Sequence, residues 1–305
     1  MNYLRLALDW TPNTNHTGFF VAQHLGYYEK ADIQLSIQSP ADDNYATTPA
    51  KKLEQGETDL AIAPTESVIS YRTKNNPFPL VAVAAILQRD ASAIAVLKSS
   101  GIERPADLDG KSYASYDARY EDDIIRQMIK NDGGEGNLQI HTPEKLGIWN
   151  TLTDGTFDAT WIFTPWECVE AENRGIDLRT FVLGDYGIPY GYSPVLCAAE
   201  SRVEADANIL ASFLDATEKG FRYAIENPQE AADILKPKLT DHDLKHIDLL
   251  QSQKTINPYY TDGDGHWGAM DPEVFETFVA WLQEHNLVPD DLDATQLYTN
   301  KCLKH

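Results

Sequence analysis

The feature that most constrains the fold is an alternation of short apolar segments with stretches of helical period. Strand-like runs occur at residues 4–8, 33–37, 60–63, 80–87, 93–97, 111–114, 159–163 and 194–199, with helical patterns between several of them. Strands joined by helix-length crossovers pair side by side in parallel, because the helix returns the chain to its starting edge. The pattern therefore predicts α/β architecture with largely parallel strands. Residues 18–28, carrying Phe19, Phe20, Ala22, Leu25 and Tyr28, read as a helix after the first strand, and residues 121–130 repeat that rhythm in a second unit. From about residue 204 the pattern turns helical, at 207–227, 228–235 and 272–284, the last with Phe275, Phe278, Val279 and Leu282 on one stripe. A chain of 305 residues has room for two such units, and no repeat or low-complexity linker separates them.

Composition narrows the partners. With 25 basic and 47 acidic residues the formal net charge is −22, which repels phosphate backbones and anionic membrane surfaces, so nucleic acid is not an expected partner. Cys168, Cys197 and Cys302 are odd in number and widely spaced, a pattern that fits neither a disulfide framework nor a cysteine zinc site. No run approaches the roughly 18 apolar residues of a membrane helix, so no transmembrane segment is expected. The start, Met1 to Trp10, alternates like a strand and lacks the marks of a secretory leader. Localisation stays open: cytoplasmic if Met1 is native, periplasmic or extracellular if a leader has been removed.

Common catalytic signatures are missing: the sequence has no phosphate loop, no Gly-x-Gly-x-x-Gly, no nucleophile elbow and no His-Glu-x-x-His. His242 and His246 share a helix face without a glutamate between them and read as a surface pair. The stretch from Thr261 to Gly265 lacks the remaining ligands of a calcium loop and reads as a turn. No metal and no cofactor are expected. What stands out is the cluster from Asp9 to Ala22, with Trp10, Asn13, Asn15 and His16 placed between the first strand and the first helix. Ligands of open α/β sheets sit beyond the carboxyl ends of strands, where these residues are placed to meet a polar aromatic compound.

The order Asp9-Trp10-x-Pro12-x-x-x-His16-x-Gly18-Phe19-x-x-Ala22, followed by Gly26-Tyr27-Tyr28, resembles the opening of the SsuA/THI5-like thiamine-pyrimidine family. The likeness continues through Gly56 to Glu66, Leu108 to Tyr113, Asp154 to Ala159 and Trp161 to Glu167, and covers most of residues 1 to about 235. That family joins solute-binding proteins of ABC importers for formylated aminopyrimidine with the yeast-type hydroxymethylpyrimidine phosphate synthase. The resemblance implies a type II periplasmic-binding-protein fold, two lobes hinged around a ligand cleft. Lobe one is expected at 1–90 plus 196–305 and lobe two at 91–195, with crossings near 88–93 and 192–198. An importer permease is the partner it implies.

The synthase holds pyridoxal phosphate on a lysine, with a nearby histidine consumed as second donor. The alignment puts Ala63 and Ser67 at those two places, and a Schiff base needs an amine. Its glycine-rich phosphate turn corresponds to Ser115 to Ala118, and of its cysteine-rich run only Cys197 remains. These departures favour a binder of a neutral heteroaromatic ring over the pyridoxal-phosphate-dependent enzyme, which stays as the alternative.

A flat aminopyrimidine offers two π-faces and a donor–acceptor edge. Stacking is expected from Trp10 and from one or more of Tyr116, Trp161, Trp166, Tyr190 and Tyr192, with Glu66, Glu121 and Glu167 as acceptors for an exocyclic amine. Asn13, His16, Pro64, Thr65, Ser115 and Tyr120 complete the expected ligand-contact set. A sulfonate or other small solute on the same scaffold is a third reading, in which Arg89 or Arg119 carries the anion.

Overall fold

A computed structural model describes residues 1–144 and 147–304. The chain divides into two compact units: Met1–Asp90 with Gly191–Lys245 and the segment from Leu249 onward, and Ala91–Tyr190 with His246–Asp248. The strands are β1 (Asn2–Ala7), β2 (Ile33–Gln38), β3 (Leu60–Ala63), β4 (Leu80–Ala85), β5 (Ser92–Leu97), β6 (Ser112–Ala114), β7 (Gln139–His141), β8 (Ala159–Phe163), β9 (Leu178–Phe181) and β10 (Val195–Ala199).

The first unit holds the sheet β2-β1-β3-β10-β4 and the second the sheet β7-β6-β8-β5-β9. In the first, β1 runs parallel to β2 and β3, while β10 is antiparallel to both β3 and β4. In the second, β6 is parallel to β7 and β8, while β5 is antiparallel to both β8 and β9. Each sheet is thus mixed, with one reversed strand, and in each the reversed strand is the first one the chain forms after crossing from the other unit. A crossing chain arrives without a crossover helix to set its direction, which is why the rule that predicts parallel pairing fails at β5 and β10. The short, part-exposed strands β7 and β9 also escape the sequence pattern, since neither is a sustained apolar run.

The first helix spans Thr17–His24 and stops at Gly26, whose φ of +69° is left-handed, before a short turn Tyr27–Lys30. It packs along the 20-residue helix Ala207–Glu226 at a glycine contact. A Cβ built on Gly220 would fall 2.0 Å from the Gly18 carbonyl oxygen and 2.9 Å from the Ala22 Cβ, so the two backbones approach as closely as glycine allows. Around that contact Phe221 stacks on Trp267 at 4.9 Å and meets Phe19 edge-on at 5.3 Å. The Tyr28 hydroxyl donates to Thr217 Oγ1 (2.8 Å), because that hydroxyl's own proton goes to the Phe213 carbonyl. Burial leaves the Tyr28 phenol pushed far above its ordinary pKa.

The core of the second unit is built from Ala93 and Ala95 of β5, Ile162 of β8, Trp149, Leu152 and Ala171. Small residues on the reversed strand let the Trp149 indole lie against the sheet. No helix among the described residues is long and apolar enough to cross a membrane.

Replacing Gly220 by Ala is expected to cost about 3 kcal/mol or more in urea unfolding, since the clash is with backbone that cannot rotate away. Gly263→Ala, where nothing lies within 4 Å of the new methyl, should stay within about 0.5 kcal/mol.

Candidate functional site

Parallel neighbours must end at the same edge, and that rule collects the candidate residues. In the first unit β1 and β3 end together, and Val195 at the start of antiparallel β10 pairs with Ala63 at the end of β3. Trp10, Asn13 and His16 follow β1, Pro64, Thr65 and Glu66 follow β3, and Tyr192 precedes β10, so these seven share one edge of the sheet. In the second unit β6 and β8 end together. Ser115, Tyr116, Tyr120 and Glu121 follow β6. Trp161 lies on β8, and Trp166 and Glu167 lie on the π-helical turn Thr164–Cys168 just after it.

The loop after β1 is held by a fully buried imidazole. His16 Nδ1 accepts the Asn13 N–H at 3.1 Å, so that nitrogen is unprotonated, and Nε2–H donates to Asp9 Oδ1 at 2.7 Å. Asn13 is engaged in the same way: its Oδ1 accepts the Asn15 N–H at 2.9 Å and its Nδ2 donates to the Thr11 carbonyl at 3.1 Å. Thr14 and Thr17 then bond Ser252 (2.9 Å) and Gln253 (2.7 Å) of the helix Leu249–Ile256. Both His16 nitrogens and both Asn13 side-chain polar atoms are therefore occupied within the chain. These bonds set the conformation of the loop that carries Asp9 and Trp10. Trp10 is half-buried and lies 5.4 Å from the Tyr45 ring at 56°.

Two residues at this edge were not singled out from the sequence. Asp9 is half-buried, with one carboxylate oxygen on His16, and its signal was its place inside the Asp-Trp-x-Pro motif. Tyr45 had no sequence signal: it reaches Trp10 through Asn44 and Tyr45 both in left-handed φ, at +55° and +60°. Such backbone in non-glycine residues costs about 1–3 kcal/mol each and is retained where the surroundings fix it.

After β3, Pro64 caps the helix Thr65–Thr73 in an extended conformation. The Thr65 hydroxyl donates to the Tyr192 carbonyl at 2.6 Å, and the Tyr192 phenol oxygen accepts the Asp271 N–H at 2.9 Å while its ring meets Phe275 at 5.7 Å. Thr65 and Tyr192 thus tie the strand end to the C-terminal helix Pro272–Glu284. Glu66 is buried in the first turn of its own helix.

The loop after β6 closes on Glu121, the first residue of the helix Glu121–Asn131 and 1% exposed. Its carboxylate accepts the Tyr113 hydroxyl at 2.6 Å and the backbone N–H groups of Tyr116 and Ala118. Burial pushes the Glu121 carboxyl above the ordinary carboxylate value, against the pull of those donors, and pushes the Tyr113 phenol well up, with the Glu121 charge adding to it. Ser115 is also fully buried, and its hydroxyl donates to Asp122 Oδ1 at 2.8 Å. Tyr120 is buried at the helix N-cap.

Beside this loop Glu167 accepts the Phe163 N–H at 2.8 Å, and Trp161 meets Tyr190 edge-on at 5.2 Å. The Tyr116 phenol is held well above its usual pKa, first by burial and then by the charges of Glu167 and Glu121. It therefore stays protonated at neutral pH. The same Glu167 charge, after burial, pushes the Cys168 thiol up to about 11, so no thiolate nucleophile forms there. Arg89 and Arg119 are exposed, their guanidiniums over the rings of Tyr259 (4.3 Å) and Tyr120 (5.8 Å). No group of three or more histidine, cysteine or acidic residues among those described is arranged to hold a metal ion.

His16→Ala leaves the Asn13 amide and the Asp9 carboxylate without their partner in a buried loop, and should lower unfolding free energy by about 1–3 kcal/mol. The double variant with Asp9→Ala should be less costly than the sum of the two by at least about 0.5 kcal/mol, read by urea denaturation in a double-mutant cycle.

Comparison with known proteins gives the same lineage. A formylaminopyrimidine-binding protein of Halalkalibacterium halodurans is 28% identical over 97% of this chain and 89% of its own. A 4-amino-5-hydroxymethyl-2-methylpyrimidine phosphate synthase of Legionella pneumophila is 26% identical over 98% and 91%. Among solved structures, the alkanesulfonate-binding protein SsuA of Xanthomonas axonopodis pv. citri, bound to MOPS, superposes with a TM-score of 0.71 at 13% identity. It covers 99% of this chain and 98% of that one, which establishes the periplasmic-binding-protein fold. Residues 13–231 match the NMT1/THI5 like family, and the chain belongs to that family.

Proposed function

We propose that this chain is a solute-binding protein that takes an aminopyrimidine precursor of thiamine and delivers it, unreacted, to an ABC importer. The observation that carries this reading over the synthase reading is the end of β3. Ala63, buried and followed directly by Pro64 and the helix, stands where the synthase resemblance places the lysine, and Ser67 stands where it places the histidine. A methyl group forms no Schiff base, and a serine hydroxyl is no substitute for an imidazole. The 28% identity to a formylaminopyrimidine-binding protein across nearly the whole chain supports the same side of the family.

The side chains suited to the ligand are the rings and carboxylates on or beside the residues at the strand ends. In the first unit these are Trp10, with Asp9 and Glu66 as acceptors; in the second they are Tyr116, Glu167, Trp161, Trp166 and Tyr190. Indole and phenol faces hold a flat ring, with aromatic contacts worth on the order of 0.5–1.5 kcal/mol beyond burial. A carboxylate accepts from the exocyclic amine, and leaving that amine unmatched costs about 1–3 kcal/mol.

Titration calorimetry with aminomethyl-, formylaminomethyl- and hydroxymethylpyrimidines should give saturable binding to at least one, and a rise in melting temperature at saturation. Trp10→Ala should weaken it at least ~10-fold. Pyridoxal phosphate should give no Schiff-base absorbance. A melting response to an unrelated solute and to none of the pyrimidines defeats the assignment, and an aldimine spectrum returns the chain to the enzymes.

A further inference from the structure

Two amides of the loop Ser115–Ala118, those of Tyr116 and Ala118, are directed at the Glu121 side chain, while the Ser115 N–H goes to the His141 carbonyl at 2.8 Å. The Tyr116 N–H reaches Glu121 Oε1 at 3.1 Å and Oε2 at 3.0 Å, and the Ala118 N–H reaches Oε2 at 3.2 Å. Between them the Asp117 N–H goes to Ser115 Oγ at 3.0 Å, and Asp117 itself is left-handed, with φ of +59°. One left-handed residue in a short loop makes the flanking N–H groups converge, and the loop leads from a strand straight into the N-terminus of an 11-residue helix. Converging amides before a helix of that length suit a tetrahedral anion. Here the anion is internal: the Glu121 carboxylate fills the concavity and is further held by the Tyr113 hydroxyl at 2.6 Å.

The surroundings reinforce the exclusion. Asp122 and Asp123 stand in the same first helical turn, and Ser115 Oγ, which could otherwise donate to a ligand, donates to Asp122. Arg119, the cation of this stretch, is exposed and turned over the Tyr120 ring. A phosphate entering the loop would have to displace a buried carboxylate from its amides and sit beside two more acidic side chains.

We propose that Glu121 is a specificity-determining residue whose carboxylate closes the Tyr116 and Ala118 amides to phosphate, restricting this chain to unphosphorylated aminopyrimidines. The choice of pyrimidine rests on the proposed function above; the closure of the loop does not.

The test compares hydroxymethylpyrimidine, its phosphate monoester and inorganic phosphate against the wild type, Glu121→Gln and Glu121→Ser. The wild type should prefer the free alcohol by on the order of 100-fold and show no response to inorganic phosphate, in its melting temperature or in the amide resonances of Tyr116 and Ala118. Glu121→Ser should narrow the preference at least about tenfold and gain phosphate binding, seen as line broadening in phosphorus NMR. Glu121→Gln, which keeps an acceptor but loses the charge, should fall between them.

A wild type that takes the monoester as tightly as the alcohol, or whose Tyr116 and Ala118 amides shift with phosphate, overturns the proposal. So does a folded Glu121→Ser with unchanged preference and no phosphate response. If the wild type binds no pyrimidine at all, the proposed function falls, while the inorganic-phosphate titrations still decide the loop. If Glu121→Ser does not fold, the wild-type preference and phosphate titration decide alone.

Discussion

Backbone N–H groups in the turns that leave a parallel sheet have no strand partner, and everything at the candidate site depends on how this chain satisfies them. After β1 the acceptors are the His16 imidazole and the Asn13 amide. After β6 they are the Glu121 carboxylate and the Ser115 hydroxyl. A buried amide without an acceptor costs free energy comparable to a lost hydrogen bond, so these side chains are as much a part of the fold as the core. Each also fixes one loop conformation, and with it the direction of the residues that remain available for recognition.

These bonds give the polar, motif-rich loops a structural role of their own. His16 and Asn13 hold; Asp9 and Trp10 are held. Likewise Glu121 and Ser115 hold the loop after β6. The mixed sheets serve the same end. Reversing β10 brings Tyr192 to the edge where β3 finishes, and its carbonyl accepts from Thr65 there.

Much of the fold was legible because long periodic segments admit few readings. The helices Ala207–Glu226, Pro228–Leu235 and Pro272–Glu284 match the expected 207–227, 228–235 and 272–284 almost residue for residue, since an apolar stripe with Asn or Pro at its boundaries leaves little choice. The helix expected over 18–28 ends instead at His24, because Gly26 takes a left-handed φ that breaks the apolar run without altering its hydrophobic pattern. Strands β7 and β9 lay outside the pattern because each is four residues or fewer and half open to solvent.

The sequence by itself determined the α/β class, the family and the set of residues gathered after β1, β3, β6 and β8, because periodicity and motif order are properties of neighbours along the chain. It also determined that neither Ala63 nor Ser67 can supply an amine or an imidazole, since side-chain chemistry needs no coordinates. Only the tertiary structure decided which of those residues hold a loop. Whether the Glu121 oxygens meet amides of Tyr116 and Ala118, or Tyr45 meets Trp10, depends on backbone dihedrals at Asp117, Asn44 and Tyr45. Those dihedrals belong to the folded backbone, and residue spacing alone does not fix them.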